Sequence, residues 1–77
     1  MTFTLTPDQF DACRAKLAAI QGVTIQSVAG DAGTVEAQGV VANFAYFAPT
    51  LTVTVVDYGG HPSFFVNHAI KGWFKAQ

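Results

Sequence analysis

Charge is scarce in this sequence. Four basic and five acidic residues make up 12% of 77 residues, about half the roughly 25% usual in soluble domains. Four scattered cations build no phosphate-binding stripe, which excludes a nucleic-acid binder. A single cysteine, Cys13, excludes an internal disulfide framework and a zinc cage made mainly of thiolates. The opening Met-Thr-Phe-Thr-Leu-Thr-Pro-Asp has neither a basic n-region nor an apolar h-region, so no secretory signal is expected. Residues 37–56 carry no formal charge, but Gln38, Asn43, Pro49 and the alternating Thr50, Thr52 and Thr54 interrupt the run. That pattern predicts adjacent strands and no transmembrane segment. The expected location is the cytoplasm. What is plentiful is apolar surface. Hydrophobic residues are 51% and aromatics 13%, the reverse of a disordered chain.

Thr2 to Leu5 alternates as a short strand. Thr6-Pro7-Asp8-Gln9 reads as a helix start, with Thr6 as N-cap, Pro7 at N1 and Gln9 placed for a capping box. Leu5 and Phe10 have the spacing of a hydrophobic staple. The helix is expected to run to about Gln21, with Gly22 as its C-terminal cap and Phe10, Cys13, Leu17 and Ile20 on its apolar stripe. Val23 to Ala29 follows as a strand, and Gly30-Asp31-Ala32-Gly33 as a hairpin turn.

Thr34 to Phe47 reads as one long strand whose parity slips near Gly39. Val35 and Ala37 fit one parity, Val40, Ala42, Phe44 and Tyr46 the other, so a bulge is expected at Gln38-Gly39. After a turn at Ala48-Pro49-Thr50, Leu51 to Tyr58 is the fourth strand. Gly59-Gly60 ends it. A closing helix runs from Pro62 or Ser63 to about Ala76, with Val66, Ala69, Ile70 and Trp73 on its apolar stripe. The expected fold is a single α+β domain over residues 1–77, ordered β-α-β-β-β-α. An antiparallel-rich four-stranded sheet carries two helices packed on one face. The first strand can pair with either the second or the fourth. The outer face would carry Thr2, Thr4, Thr24, Gln26, Glu36, Gln38, Thr52 and Thr54, polar and almost uncharged.

Chemistry-bearing residues are few. Asp57, His61 and His68 lie near one another in sequence, but they match no metal motif; a loop His61 and a wet helix-face His68 account for them. Cys13 falls on an apolar stripe, where a thiol behaves as a small hydrophobe. Asp57 before Gly59-Gly60 reads as a turn acceptor. The threonine face could present a hydroxyl lattice, but threonine is ordinary on the wet side of an antiparallel sheet. No catalytic, cofactor-binding or metal residue is assigned, and no cofactor is expected.

Ten aromatic residues are many for so small a core: seven Phe, two Tyr and one Trp. Together with low charge they predict self-association as a homo-oligomer, or an apolar partner. Phe64, Trp73 and Tyr46 are the candidate interaction residues. The leading expectation is a small non-catalytic structural or interaction protein. The alternative is a binder of a small apolar or lipid-like ligand, held in the helix–sheet cleft or at a dimer interface. Against a pocket stands the size of the domain, which leaves little room for both a core and a cavity of even about 300 Å³.

The segments Gly33-Thr34-Val35-Glu36-Ala37-Gln38-Gly39-Val40-Val41-Ala42, Leu51 to Val55 and the final helix around Ile70 give the chain an outline. It resembles a family of small bacterial domains associated with polyhydroxyalkanoate granules. The resemblance covers most of the chain at the level of pattern and carries over no catalytic motif. It implies an accessory or interaction role at an apolar granule surface.

Overall fold

The computed structural model describes residues 1–29 and 31–75, the side chains of 27–29 excepted. Seven elements follow one another: β1 (Thr2–Thr4), α1 (Pro7–Ala19), β2 (Val23–Ala29), β3 (Ala32–Ala37), β4 (Val40–Phe47), β5 (Thr50–Asp57) and α2 (Ser63–Lys75). The class is α+β. The sheet has five strands in the order β1-β5-β4-β3-β2, all antiparallel. The open question of the first strand is settled by Phe3 opposite Leu51 on β5.

The expected four strands become five because the long third strand is broken. Gln38 and Gly39 both have positive φ, at 53° and 83°, and Ala37 pairs with Val40 across them. Two successive positive-φ residues between paired strands make a tight two-residue hairpin turn. The expected bulge is therefore a full reversal. The parity slip was real in either case, because a two-residue turn places residues i and i+3 on the same face. Val35, Ala37, Val40, Ala42 and Phe44 thus form one continuous inner surface across two strands. The expected turn at Gly30–Gly33 also shifts. Ala32 and Gly33 are already paired with Ala29 and Ser27, while Gly30 lies outside the described residues. So does Ala76, the expected end of the closing helix.

Helix α1 starts as its sequence dictates. The Gln9 N–H donates to Thr6 Oγ1 at 3.2 Å, and the Thr6 N–H donates to Gln9 Oε1 at 2.9 Å. The capping box satisfies two backbone donors that the first turn would leave bare. Leu5 and Phe10 are both buried beside it. The helix ends two residues earlier than expected. Ile20 is its C-cap in extended backbone, so its side chain leaves the apolar stripe and is 43% exposed.

The core lies toward one side of the sheet. Leu5, Phe10, Cys13, Tyr46, Leu51 and Val53 form most of it, and Phe3, Phe44, Trp73 and Phe74 pack against them. Residues of both helices thus meet the same sheet face. The opposite face is wet: Thr2, Thr4, Thr24, Gln26, Glu36, Thr52 and Thr54 are all exposed. Thr34 Oγ1 donates to Asn43 Oδ1 across it at 3.1 Å.

Candidate functional site

The two ends of the inner face are packed differently. At the β1–β5–β4 end, Phe10 stacks on Tyr46 with ring centroids 4.3 Å apart and planes 7° apart. The Tyr46 hydroxyl donates to the Leu5 carbonyl at 2.7 Å, a buried bond that ties β4 to the start of α1. Phe3 stacks on Phe74 at 4.4 Å, and Trp73 meets Phe74 edge-on at 4.9 Å. Such aromatic pairs add stability beyond their buried area.

At the other end the inner face is not closed. Val23 and Ile25 on β2, and Val35 and Ala37 on β3, point inward but are only half-buried. With Phe10, Cys13 and Leu17 of α1 and Ala69, Ile70 and Trp73 of α2 they enclose a cleft of about 260 Å³. Ala42, Phe44, Leu51 and Val53 form its floor. Among the described residues no side chain is less than 2% exposed; the deepest, Leu51, is at 3%. The space between helices and sheet is a hydrophobic cleft, not a sealed core. The one charged side chain among its described lining residues is Arg14. It follows Phe10 by one turn, and its guanidinium carbon sits 5.6 Å from the Phe10 ring centroid.

The residues expected on an interaction surface are split. Phe64 is on the surface, 76% exposed at the start of α2, and the neighbouring Phe65 is 60% exposed. Trp73 is half-buried and lines the cleft. Tyr46 is a correction. It is 7% exposed and belongs to the core, because its parity points it at Phe10 and its hydroxyl finds an acceptor inside. The exposed aromatic of that strand is the next residue, Phe47, at 84%.

The Asp57–His61 segment makes structural contacts. Asp57 Oδ1 accepts from the Gly59 N–H at 2.8 Å, and His61 Nε2 lies 3.3 Å from the Gln38 carbonyl oxygen. Gly59 holds a positive φ of 62° and touches the hairpin tip so closely that a Cβ there would meet the Gly39 carbonyl carbon and oxygen at 2.6 Å. These contacts dock the β3–β4 turn onto the loop before α2. His68 is exposed on α2. Among the described residues no three His, Cys, Asp or Glu side chains stand together as metal ligands. The Cys13 thiol is buried, and burial raises its pKa, an effect that Lys16 only partly opposes. It is therefore a neutral thiol at physiological pH.

The sequence offered the helix–sheet cleft as the alternative to an ordinary packed core. It did not single out Arg14, although its place four residues after Phe10 on the helix's inner stripe was a usable signal. Compared with known proteins, the chain matches no protein-family model, no curated protein and no solved structure. Among the described residues no helix is long and apolar enough to cross a membrane.

Proposed function

We propose that this is a small non-catalytic binding protein that holds an apolar ligand in the cleft between its helices and its sheet. One observation carries the reading: an apolar cleft of about 260 Å³ in a chain of 77 residues, with half-open aliphatic side chains along its β2–β3 wall. An apolar cavity of about 150 Å³ already suffices to hold a benzene-sized molecule. Binding in such a cleft removes aliphatic surface from water on both partners, at about 25 cal/mol per Å². The non-catalytic part rests on the state of the candidate groups. Cys13 is a buried neutral thiol, and both histidines sit on the surface. The resemblance to granule-associated domains fits a partner of apolar chemistry.

Native mass spectrometry of protein purified without detergent tests this reading. The expected result is a bound small molecule that organic extraction recovers. A bare protomer that also takes up no added octan-1-ol would overturn it.

Exposure of Phe64 and Phe65 on adjacent positions of α2 favours a second reading, self-association as a homo-oligomer through that end of the helix. Sedimentation velocity should then show a concentration-dependent dimer that Phe64→Ala weakens without loss of helical signal. A wild-type monomer throughout the accessible range contradicts it.

A further inference from the structure

We infer that the cleft takes a medium-chain carboxylate, its alkyl tail against the sheet and its carboxylate at Arg14. The inference rests on the cleft being a ligand site and adds the ligand's class. Size sets the tail. If about 150 Å³ holds the six heavy atoms of benzene, 260 Å³ holds roughly ten by the same ratio. Octanoate has that many. The walls set the chemistry of the tail: Leu17, Val23, Ile25, Val35 and Ile70 are aliphatic and four aromatic rings complete the lining, so the tail that fits is apolar throughout.

Arg14 sets the head. It lies on the same stripe of α1 as Phe10, Cys13 and Leu17, at the helical spacing that turns all four toward the cleft. It is half-buried, and the Phe10 ring beneath its guanidinium holds the charge against the apolar wall. A guanidinium has five donors in one plane and matches a carboxylate in bidentate fashion, so an existing contact does not exhaust it. Burying an anion in an otherwise apolar cleft is costly without such a partner. The neutral Cys13 thiol beside Arg14 adds no opposing negative charge.

The test uses the full chain and follows the fluorescence of Trp73, the only tryptophan, while sodium octanoate or octan-1-ol is added. Both should bind the wild type. Arg14→Gln should weaken octanoate by about tenfold or more, the range of a lost charge-assisted hydrogen bond, and leave octan-1-ol within about twofold. Arg14→Lys, which keeps the charge but loses the bidentate fork and the stacking plane, should bind octanoate more weakly than wild type and more tightly than Arg14→Gln. Equal weakening of both ligands in Arg14→Gln would mean that Arg14 serves only as packing and would overturn the assignment. So would unchanged octanoate binding. If the wild type binds neither compound, the cleft is not a ligand site and the parent reading falls with it. If octan-1-ol binds and octanoate does not, the ligand-site reading stands and the carboxylate assignment fails.

Discussion

The inner face of the sheet is closed at one end and open at the other, although apolar residues line both. At the closed end Leu5 and Tyr46 are buried, and so are Phe10 and Leu51 where they border the cleft; ring stacks join β1 to α2 and α1 to β4, and the Tyr46 hydroxyl bonds the Leu5 carbonyl. At the open end Val23, Ile25, Val35 and Ala37 point at the same layer, stay half-buried and join no ring stack among the described residues. The reach of the side chains makes the difference. Rings span the gap between helix and sheet at the closed end. On β2 and β3 the inward residues are aliphatic and short, and they share the cleft lining with Leu17, Ala69 and Ile70. A domain can therefore gain its stability on one side and leave the other side free for a ligand.

Truncation should separate the two ends most sharply. Phe10→Ala removes a buried ring that stacks on Tyr46, at an expected cost of about 3–5 kcal/mol. That is enough to unfold a domain of ordinary marginal stability. Val35→Ala, at a half-buried position on the wall of the cleft, should cost no more than about 1 kcal/mol. Urea unfolding of both variants checks the contrast. Equal losses would mean that the β2–β3 wall is as tightly packed as the core.

The hairpin tip gives an intermediate effect. Gly59→Ala must fit a Cβ 2.6 Å from the Gly39 backbone at a residue with φ of 62°. A loss of about 1–3 kcal/mol is expected from the strained backbone position, with added cost from the clash. Gly60→Ala, where φ is also positive but no atom lies within 4 Å of the added Cβ, should lose less. A thermal melt of the two variants reads the difference. Equal melting temperatures would remove the docking of the hairpin onto the loop before α2.

The pH dependence of the closed end is the finest test. Burial, then the charges of Asp31 and Asp11, push the Tyr46 hydroxyl above its ordinary value of 10.0. A pKa raised by folding means that stability is fully present below the unfolded value and is lost as pH climbs from there through the folded value. Tyr46→Phe should be less stable than wild type at neutral pH, having lost the bond to Leu5. The gap should narrow above about pH 10. The alkaline loss that remains in the variant should include Cys13, whose pKa burial raises from 9.0. Denaturant midpoints measured at neutral and alkaline pH check the narrowing, and a constant gap would contradict it.

Much of this was legible in the residues, where the signal was local. The capping box at Thr6 and Gln9 is written in four consecutive residues and formed as expected. The wet threonine face follows from alternation alone. Tyr46 is instructive because its parity with Ala42 and Phe44 pointed inward, yet the surplus of aromatics argued it to the surface. Alternation was the better guide, and it names Phe47 as the exposed ring. The parity slip at Gly39 was visible but ambiguous. A bulge and a two-residue reversal both shift parity by one, and Gln38 is not among the Asn, Asp and Gly residues that usually mark such turns. The cleft was named only as an alternative, and its openness was not legible. It depends on how far α1 and α2 stand from β2 and β3, a distance no local pattern encodes. Apolar inward residues look the same in a sequence whether or not anything meets them.

The most direct test of the central claim is a titration of octan-1-ol into the protein, followed by methyl resonances. The cleft account predicts saturable shifts at Leu17, Val23, Ile25, Val35 and Ile70, which line the open end. It also predicts little change at Leu5, which lies in the closed core. Absence of saturable shifts, or shifts concentrated at the exposed Ile20 and Val56, would contradict it.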